Sequence, residues 1–219
     1  MQKQQAQHGI GPLVRRSAGL RLLKIYANLS KNNDHLLRAI IGPEPPQQWE
    51  HYPNEDAIDG SNCYQWFYHS HSPEDRKSRE HGHIHLFACS SVNERSDANE
   101  VGYSEPRDVH HLLGIGFDAQ GIPISIFTVN IWVTGTSILP FARTIDLLAA
   151  IKLNTGYPKI DGVIMSVIHL CFSEVKEVLL QRDQMLSNFV SSNESGENEF
   201  DILSEKSIDL DEKLRGLVL

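Results

Sequence analysis

The sequence predicts an α+β protein in which an antiparallel sheet of about four or more strands is flanked by N- and C-terminal helices. Apolar residues recur at helical spacing near both ends of the chain, whereas the middle consists of short segments rich in aromatic and β-branched residues. With 219 residues, 40% of them hydrophobic, the chain can bury a sizeable core. We expect a single domain with a histidine-rich sheet over residues 1–190 and an acidic C-terminal extension over residues 191–219.

The N-terminal part of the chain has the period of a helix over residues 14–30. The apolar positions that share one helical face there are Ala18, Leu22, Ile25, Tyr26 and Leu29. A shorter helix is expected over residues 36–41, because Gly42 and Pro43 follow and end it. Residues 42–60 are rich in proline, acidic residues and turn formers, which predicts a loop without regular structure.

Four segments in the middle of the chain predict strands. They read CYQWFYHSH from Cys63, HIHLFACS from His83, HHLLGIGF from His110 and IPISIFTVNIWVT from Ile122. The turn at residues 118–121 predicts a hairpin between residues 112–117 and residues 122–129. Gly121 can adopt the positive φ that such a turn needs, so neighbouring strands are expected to be antiparallel. The polar insertion at residues 91–107 is expected to be an exposed loop.

The helical period returns after Pro140, first over residues 141–153. It continues in a long element that begins near Asp161 and carries one wide apolar stripe, which we expect to pack on the sheet. Residues 193–198 have the composition of a linker. The segment beyond them is expected to be either a docked extension or mostly disordered.

Composition narrows the possible partners and the location of the protein. The apolar run at residues 163–172 is far shorter than the roughly 18–20 residues of a membrane span, so no membrane partner is expected. Residues 1–33 hold six Lys or Arg and no acid, but Tyr26 is the one aromatic residue among them, so they lack the interleaved aromatic residues of a nucleic-acid platform. We interpret them as a solvated helix face and expect no nucleic-acid partner. Three widely spaced cysteines and the lack of an apolar secretory signal favour a cytoplasmic location.

Histidine is concentrated in one short part of the sequence. Five of the eleven histidines fall within residues 69–85, namely His69, His71, His81, His83 and His85. Side chains two residues apart on a strand share a face. If the two strands pair through residues 72–80, His69 lies opposite His83 and all five histidines point to one side of the sheet.

This cluster predicts a metal site. Residues two apart on a strand are about 6.6 Å apart and a metal–imidazole bond is about 2.0–2.1 Å, so two histidines from one strand and one or two from its neighbour can converge. The preferred ligands are His69, His71, His83 and His85, although the sequence leaves open which histidine drops out. Glu80 and His81 are the candidates for moving protons, and Glu80 could instead be a ligand or accept an imidazole N–H. The weaker acidic candidates are Glu55, Asp56 and Asp59.

Imidazole ligands favour a divalent transition metal, zinc or iron first, with nickel, copper and manganese also open. We therefore expect a metal-dependent enzyme, hydrolytic or oxidative, that acts on a small-molecule substrate. The alternatives are a non-catalytic metal-binding or metal-handling protein, metal-free phosphate or acid–base chemistry, and a structural polar cluster. The other histidines are interpreted as ordinary hydrogen-bonded residues: His8, His35, His51, His110, His111 and His169.

Several motifs together resemble an uncharacterised bacterial family of the domain-of-unknown-function type. They are HYPNEDAIDG at residues 51–60, FYHSH at 67–71, EHGHIHLF at 80–87, FDAQGIP at 117–123 and FTVNIWVTG at 127–135. The resemblance implies a shared site at the clustered histidines and places Asn130, Trp132 and Thr134 near it. It implies no particular reaction.

Two better understood families are similar to fragments only. YHSH is similar to the zinc-binding strand of the JAMM metallopeptidases, but Ser72, Arg79 and Gly82 stand where that pattern has Pro, Ser and Asp, so this assignment is rejected. HGHIH resembles the alternating histidines of the HIT proteins, which implies phosphate chemistry on nucleotides as an alternative function. A cupin barrel also places HxH on a strand, but the flanking helices favour an α+β fold instead.

Overall fold

The computed structural model describes residues 9–71, 79–89, 108–192 and 200–217. Its helices are α1 (Pro12–Lys31), α2 (Arg38–Ile41), α3 (Ile131–Thr134), α4 (Phe141–Ala149), α5 (Pro158–Leu170), α6 (Phe172–Ser192) and α7 (Leu210–Arg215). Its strands are β1 (Tyr52–Asp59), β2 (Tyr64–His69), β3 (Gly82–Cys89), β4 (Val109–Phe117), β5 (Pro123–Val129) and β6 (Ile202–Ser207). None of these helices is both long and apolar enough to cross a membrane.

The six strands form one antiparallel sheet in the order β1-β2-β3-β4-β5-β6. Each strand therefore pairs with the next one along the chain, and the connection from β5 to β6 carries the helices α3 to α6. Helices α1 and α2 precede the sheet and α7 follows it. The predicted α+β class, with an antiparallel sheet between N- and C-terminal helices, is confirmed.

Helices α1, α4, α5 and α6 pack against one face of the sheet. Alternate residues of β2 and β3 point to that face, and Trp66, Tyr68, Ile84 and Leu86 are all fully buried there. They join residues of α1, α4, α5 and α6 in one hydrophobic cluster. Each such side chain contributes about 1.5–3 kcal/mol on burial, so the core fixes which face of each strand points away from the helices. The residues in between, including the clustered histidines of β2 and β3, point to the opposite face.

A buried carboxylate also fixes the sheet against α5. Oδ1 of Asp161 accepts a hydrogen bond from Nε1 of Trp66 at 2.9 Å, and Oδ2 accepts one from the backbone N–H of Thr155 at 2.8 Å. Asp161 is 3% exposed, so both bonds are shielded from water. This contact sets the position of β2, and therefore of His69 at its end, relative to the helical layer.

The predicted hairpin between β4 and β5 is confirmed. The backbone N–H of Asp118 donates to the carbonyl of Ile122, that of Gly121 donates to the carbonyl of Asp118, and Gly121 has a φ of +74°. The predicted insertion at residues 91–107 and the predicted linker at residues 193–198 lie outside the described residues.

The C-terminal part of the chain contributes to the sheet through β6, which pairs with β5. Of the two expectations for this segment, the docked one therefore holds for residues 200–217. The proposed boundary of the domain at residue 190 stays a prediction.

Three predicted elements differ from the observed ones. The second half of the predicted loop at residues 42–60 forms β1, an edge strand. Proline and acidic residues are tolerated there because one side of β1 has no strand partner among the described residues. The strand predicted over residues 122–134 ends at Val129, because the side chain of Asn130 accepts a hydrogen bond from the N–H of Ile131 and starts α3. The predicted long C-terminal helix is divided at Cys171 into α5 and α6.

Candidate metal centre

Three histidines from β2 and β3 lie together on the face of the sheet that points away from the helical layer. His69 is directly opposite His83 in the register of the two strands, and His85 shares that face two residues further along β3. One nitrogen atom from each ring lies within 4.8 Å of the others, and the triad is partly to fully buried. Tetrahedral ligation would space such nitrogens by about 3.3 Å, so small side-chain rotations bring all three within bonding distance of one ion. The triad is compatible with metal binding.

Glu80 orients His83. Nδ1 of His83 lies 2.6 Å from Oε1 of Glu80, so the N–H at Nδ1 donates to the carboxylate. A neutral imidazole carries one N–H, which leaves the lone pair on Nε2 of His83. That Nε2 lies 2.6 Å from Nε2 of His69, at the centre of the triad. A carboxylate that holds the outer nitrogen of a histidine is the usual partner of a metal-ligating imidazole.

His111 on β4 occupies the equivalent position behind His85. Its Nε2 lies 3.0 Å from Nδ1 of His85, and both rings are buried. When the N–H at Nδ1 of His85 donates to His111, Nε2 of His85 is left with a lone pair. Two of the three histidines in the triad thus have a polar partner at Nδ1.

The remaining predicted site residues lie at different distances from the triad. The centre of the His71 ring is 4.9 Å from the ring centres of both His69 and His83 and 4.6 Å from that of Trp49, to which it is nearly perpendicular. His71 therefore borders the triad. His81 does not, because its Nδ1 is hydrogen-bonded to the hydroxyl of Tyr68, a side chain of the helix-covered face. The expectation that all five histidines share one side is wrong at this residue, whose ring leaves the strand alternation just before β3 begins.

Of the three weaker acidic candidates, one lies near the triad and two do not. Asp56 accepts a hydrogen bond from His51, whose ring stacks on Phe67 beside the triad. Asp59 instead holds the backbone N–H groups of Ser61 and Asn154 and is buried away from the histidines. Glu55 is exposed on the edge strand.

Burial keeps the imidazoles of His69, His85 and His111 neutral. Desolvation, followed by the neighbouring His83 and His71, lowers the pKa of His69 to about 3. Desolvation also lowers the pKa of His111 to about 3 and that of His85 well below its ordinary value. Neutral imidazole is the form that binds metal, so no proton has to be displaced from these rings at neutral pH.

We expect the metal-free protein to lose stability as the pH falls below about 6.5. In the unfolded chain these histidines take up protons near their ordinary pKa of 6.5, whereas in the folded protein the pKa of His69 and of His111 is about 3. Between these two pKa values the unfolded chain binds more protons than the folded protein does. The free energy of unfolding therefore falls with pH, by at most about 1.4 kcal/mol per pH unit for each histidine, and is flat above this range.

Urea unfolding of the chelator-treated protein at about pH 7.5, 6.5 and 5.5 measures this effect. The variant His111→Leu removes one titrating ring and should show a shallower decline. Equal unfolding free energies at all three pH values would contradict the prediction.

Two glycines of β4 make room for the site. Gly114 lies opposite His85 and Gly116 opposite His83 in the register. A Cβ at Gly114 would collide with the ring of Phe127, and one at Gly116 would lie 2.8 Å from Oε2 of Glu80 and closer still to Oγ of Ser125. The missing side chains therefore allow Phe127 and Glu80 to reach the triad across β4.

We expect Gly116→Ala to weaken metal binding about tenfold, because its Cβ displaces the carboxylate that orients His83. The groups it meets are the ends of the Glu80 and Ser125 side chains, which can move, so the fold should remain intact. Competition with a chromogenic chelator measures the affinity. Gly60→Ala is the matched control, since a Cβ there meets nothing within 4 Å. Unchanged metal affinity in Gly116→Ala would contradict the prediction, because it would show that the position of the Glu80 carboxylate does not require the space beside Gly116.

A cavity of about 580 Å³ opens beside the triad. Its histidine side is formed by His51, His69, His71, His83 and His85. Apolar side chains, including Phe127, Val129 and Ile202, form much of the remaining wall, together with the carboxylates of Glu80, Asp201 and Glu205. Thr134 lines the cavity as well, whereas Asn130 caps α3 and Trp132 is hydrogen-bonded to Asp201. This volume suits a small molecule.

Sequence reasoning missed His111 and the two glycines. A β-bulge between Leu86 and Phe87 shifts the pairing so that His111 lies opposite Phe87 and reaches His85, and the sequence gives no signal of this bulge. The glycines could have been found, because GIG on β4 repeats the spacing of HIH on β3. Two glycines in a strand often mark the close approach of another group.

Comparisons with known proteins identify a family and no characterised relative. A family model described as a domain of unknown function, DUF6969, matches residues 16–208. No curated protein and no solved structure matches the chain.

Proposed function

This chain belongs to the DUF6969 family, and we propose that it is a metal-binding protein, a metal-dependent enzyme that acts on a small molecule. One divalent transition-metal ion, zinc or iron, is bound by His69, His83 and His85. The observation that carries this proposal is the convergence of one nitrogen atom from each ring within 4.8 Å. The family resemblance expected from the sequence motifs agrees with this membership.

The direction of the lone pairs supports a metal site over a structural polar cluster. Nε2 of His83 and Nε2 of His69 face each other at 2.6 Å, while Nδ1 of His83 is committed to Glu80. In a cluster that serves hydrogen bonding alone, this close pair would need an N–H on His69 to satisfy His83. A cation placed among the three rings would accept a lone pair from each of them, including His85, which the hydrogen bond between His69 and His83 does not involve.

The cavity supports a catalytic role over metal handling. Three protein ligands leave a coordination position for water or substrate, and a site that keeps such a position beside a cavity is typical of catalytic rather than structural metal centres. His71 is the predicted fourth ligand, and its ring lies 4.9 Å from the rings of His69 and His83. If His71 closed the site, the protein would fit the non-catalytic alternative.

A bound zinc ion would supply an activated water for hydrolysis, whereas iron would serve oxidation. Within the chain, Glu80 holds the proton at Nδ1 of His83 and fixes the orientation of that ring. We keep Glu80 as the group that positions His83 and as a candidate proton carrier. His81 remains a predicted proton carrier only, since its ring is bound to Tyr68. We further propose a cytoplasmic location, where thiols such as Cys63 and Cys171 stay reduced.

Elemental analysis of protein purified without a histidine tag tests the metal proposal. We expect about one zinc or iron ion per chain after expression in metal-replete medium. Absence of any stoichiometric transition metal would contradict it.

Catalysis is tested separately with a panel of esters, amides and phosphate esters, and with oxygen-dependent oxidation for the iron-loaded form. Turnover that disappears on chelation and returns with metal would support the enzyme. Inactivity of the metal-loaded protein across the panel would favour the metal-handling alternative.

A further inference from the structure

We infer that the cavity beside the triad takes a small molecule with an aromatic ring, which packs on the indole of Trp49 at the opening of the cavity. The polar group that binds at the metal is attached to this ring directly or through one atom. Saturated compounds of the same size bind less tightly. This inference names the substrate class of the metal site and therefore rests on the proposed function.

The indole of Trp49 lies at the opening of the cavity. Trp49 is one of the residues that line the cavity, and it is 61% exposed, whereas the aromatic lining residues Phe67 and Phe127 are buried. Tryptophan is usually well buried in a folded protein, because its side chain carries a large apolar surface. A ligand that covers this indole therefore removes from water an apolar surface that the protein leaves exposed.

The backbone holds Trp49 in an unfavourable conformation. Its φ is +67°, in the left-handed region that bulky residues rarely adopt. The position is fixed from the end of β2, because Gln48 forms a β-bridge with Ser70 and the N–H of Trp49 donates to the carbonyl of Ser70 at 3.3 Å. A glycine would adopt this conformation without strain, so the backbone gives no reason for a tryptophan here. Strained residues of this kind cluster at ligand-binding sites.

Trp49 lies close to the triad. The centre of its ring is 6.1 Å from that of His69 and 4.6 Å from that of His71, and it is nearly perpendicular to both rings. Since His69 is a proposed ligand, an aromatic ring that packs on the indole lies beside the metal site. Only a short connection is needed between this ring and the group that binds the ion.

Aromatic rings also flank the triad elsewhere in the cavity. Phe67 is stacked on His51 with the ring centres 3.7 Å apart, and Phe127 on β5 lies with its ring centre 5.0 Å from that of His83. Offset and edge-to-face contacts between aromatic rings stabilise a complex beyond the burial of equal area, which a saturated ring cannot match. The cavity of about 580 Å³ is large enough for a compound of one or two rings.

Three hydroxamates test this inference with the zinc-loaded protein, because each binds the ion through the same group. They are benzohydroxamate, its saturated analogue cyclohexanecarbohydroxamate, and acetohydroxamate, which has no ring. Isothermal titration measures each Kd. We expect benzohydroxamate to bind about fivefold more tightly than the saturated analogue, although the saturated ring is the more apolar of the two. Equal or tighter binding of cyclohexanecarbohydroxamate would overturn the inference.

Trp49→Gly should weaken benzohydroxamate binding about tenfold and leave the affinity for acetohydroxamate within about twofold. The midpoint of urea unfolding should stay about unchanged, because relief of the left-handed conformation offsets the greater freedom of the unfolded chain. Trp49→Phe keeps an aromatic ring and should retain most of the affinity. Unchanged binding of benzohydroxamate to Trp49→Gly, or an equal loss of acetohydroxamate binding, would contradict the role of Trp49.

Phe189→Leu is the control for the loss of an exposed aromatic side chain, because Phe189 lies on α6 and does not line the cavity. It should bind all three hydroxamates as the unchanged protein does. A loss of benzohydroxamate affinity in Phe189→Leu equal to that in Trp49→Gly would contradict an aromatic site at Trp49.

Metal content and titrations of chelator-treated protein separate this inference from the proposed function. Benzamide and cyclohexanecarboxamide repeat the comparison of rings without a group that needs the ion. A preference for benzamide that Trp49→Gly removes, in protein that binds no metal, would support the aromatic site and contradict the metal site. Metal-loaded protein without any preference for the aromatic ring would contradict the aromatic site alone.

Discussion

His83→Ala is expected to lower the metal affinity of the protein by at least about a hundredfold and to yield protein that carries almost no metal after purification. His83 occupies the centre of the triad, because its Nε2 faces His69 at 2.6 Å and its ring lies 4.8 Å from that of His85. Its loss removes one of three ligands and also the group that Glu80 orients. Metal content by mass spectrometry and affinity by chelator competition measure the effect.

The matched control is His35→Ala, which removes a histidine outside the cluster whose ring is hydrogen-bonded to the carbonyl of Ala119. It should retain full metal content. His83→Gln keeps a polar side chain of similar reach, so it distinguishes the loss of a ligand from the loss of the fold. Circular dichroism of both variants checks that the sheet is intact. A folded His83→Gln protein with wild-type metal content would contradict the assignment.

Glu80→Gln is expected to weaken metal binding by about 10- to 100-fold while the fold is retained. The carboxylate accepts the N–H at Nδ1 of His83 at 2.6 Å and makes the Nε2 of that ring a stronger ligand. Glutamine has nearly the same shape but carries no charge, so the ring keeps its place and loses the electrostatic support. Chelator competition with zinc as the test ion measures the change.

Glu205→Gln is the control for this prediction, because it makes the same chemical change in the same cavity on a strand three positions from β3. Its metal affinity should stay within about twofold of that of the unchanged protein. Equal losses in the two variants would show that Glu80 acts through the general charge of the cavity and not through His83.

The sheet and its central register could be predicted from the sequence. The alternation of histidine with aromatic or aliphatic residues on β2 and β3 fixed which side chains share a face, and the short connection through residues 72–80 placed His69 opposite His83. Likewise, Gly121 at a positive φ identified the turn between β4 and β5. These features depend on local spacing, which the sequence displays directly.

Other parts of the site depend on departures from regular strand pairing and alternation, which the spacing of residues in the sequence does not reveal. The bulge between Leu86 and Phe87 places His111 opposite Phe87 and within reach of His85. Uninterrupted pairing would place Leu112 opposite Phe87 instead. His81 leaves the alternation because Tyr68 offers it a hydrogen bond on the other face. The sequence prediction missed the edge strand β1 because it contains a proline and several acidic residues, which a strand tolerates where one side has no partner among the described residues.

The position of Glu205 in the cavity wall depends on a long-range contact. β6 brings Glu205 beside Phe127, although more than seventy residues separate them in the chain. A segment of this acidic composition reads as a solvated tail when it is considered alone. Pairing of β6 with β5 brings this segment to the cavity wall, a position that its composition does not suggest.

X-ray diffraction at the absorption edge of the metal, from crystals of the metal-saturated protein, tests the central claim most directly. We expect an anomalous peak about 2.0–2.1 Å from one nitrogen of each of His69, His83 and His85. A well-ordered triad with no peak among its rings, or a stoichiometric peak elsewhere in the protein, would contradict the proposed metal centre.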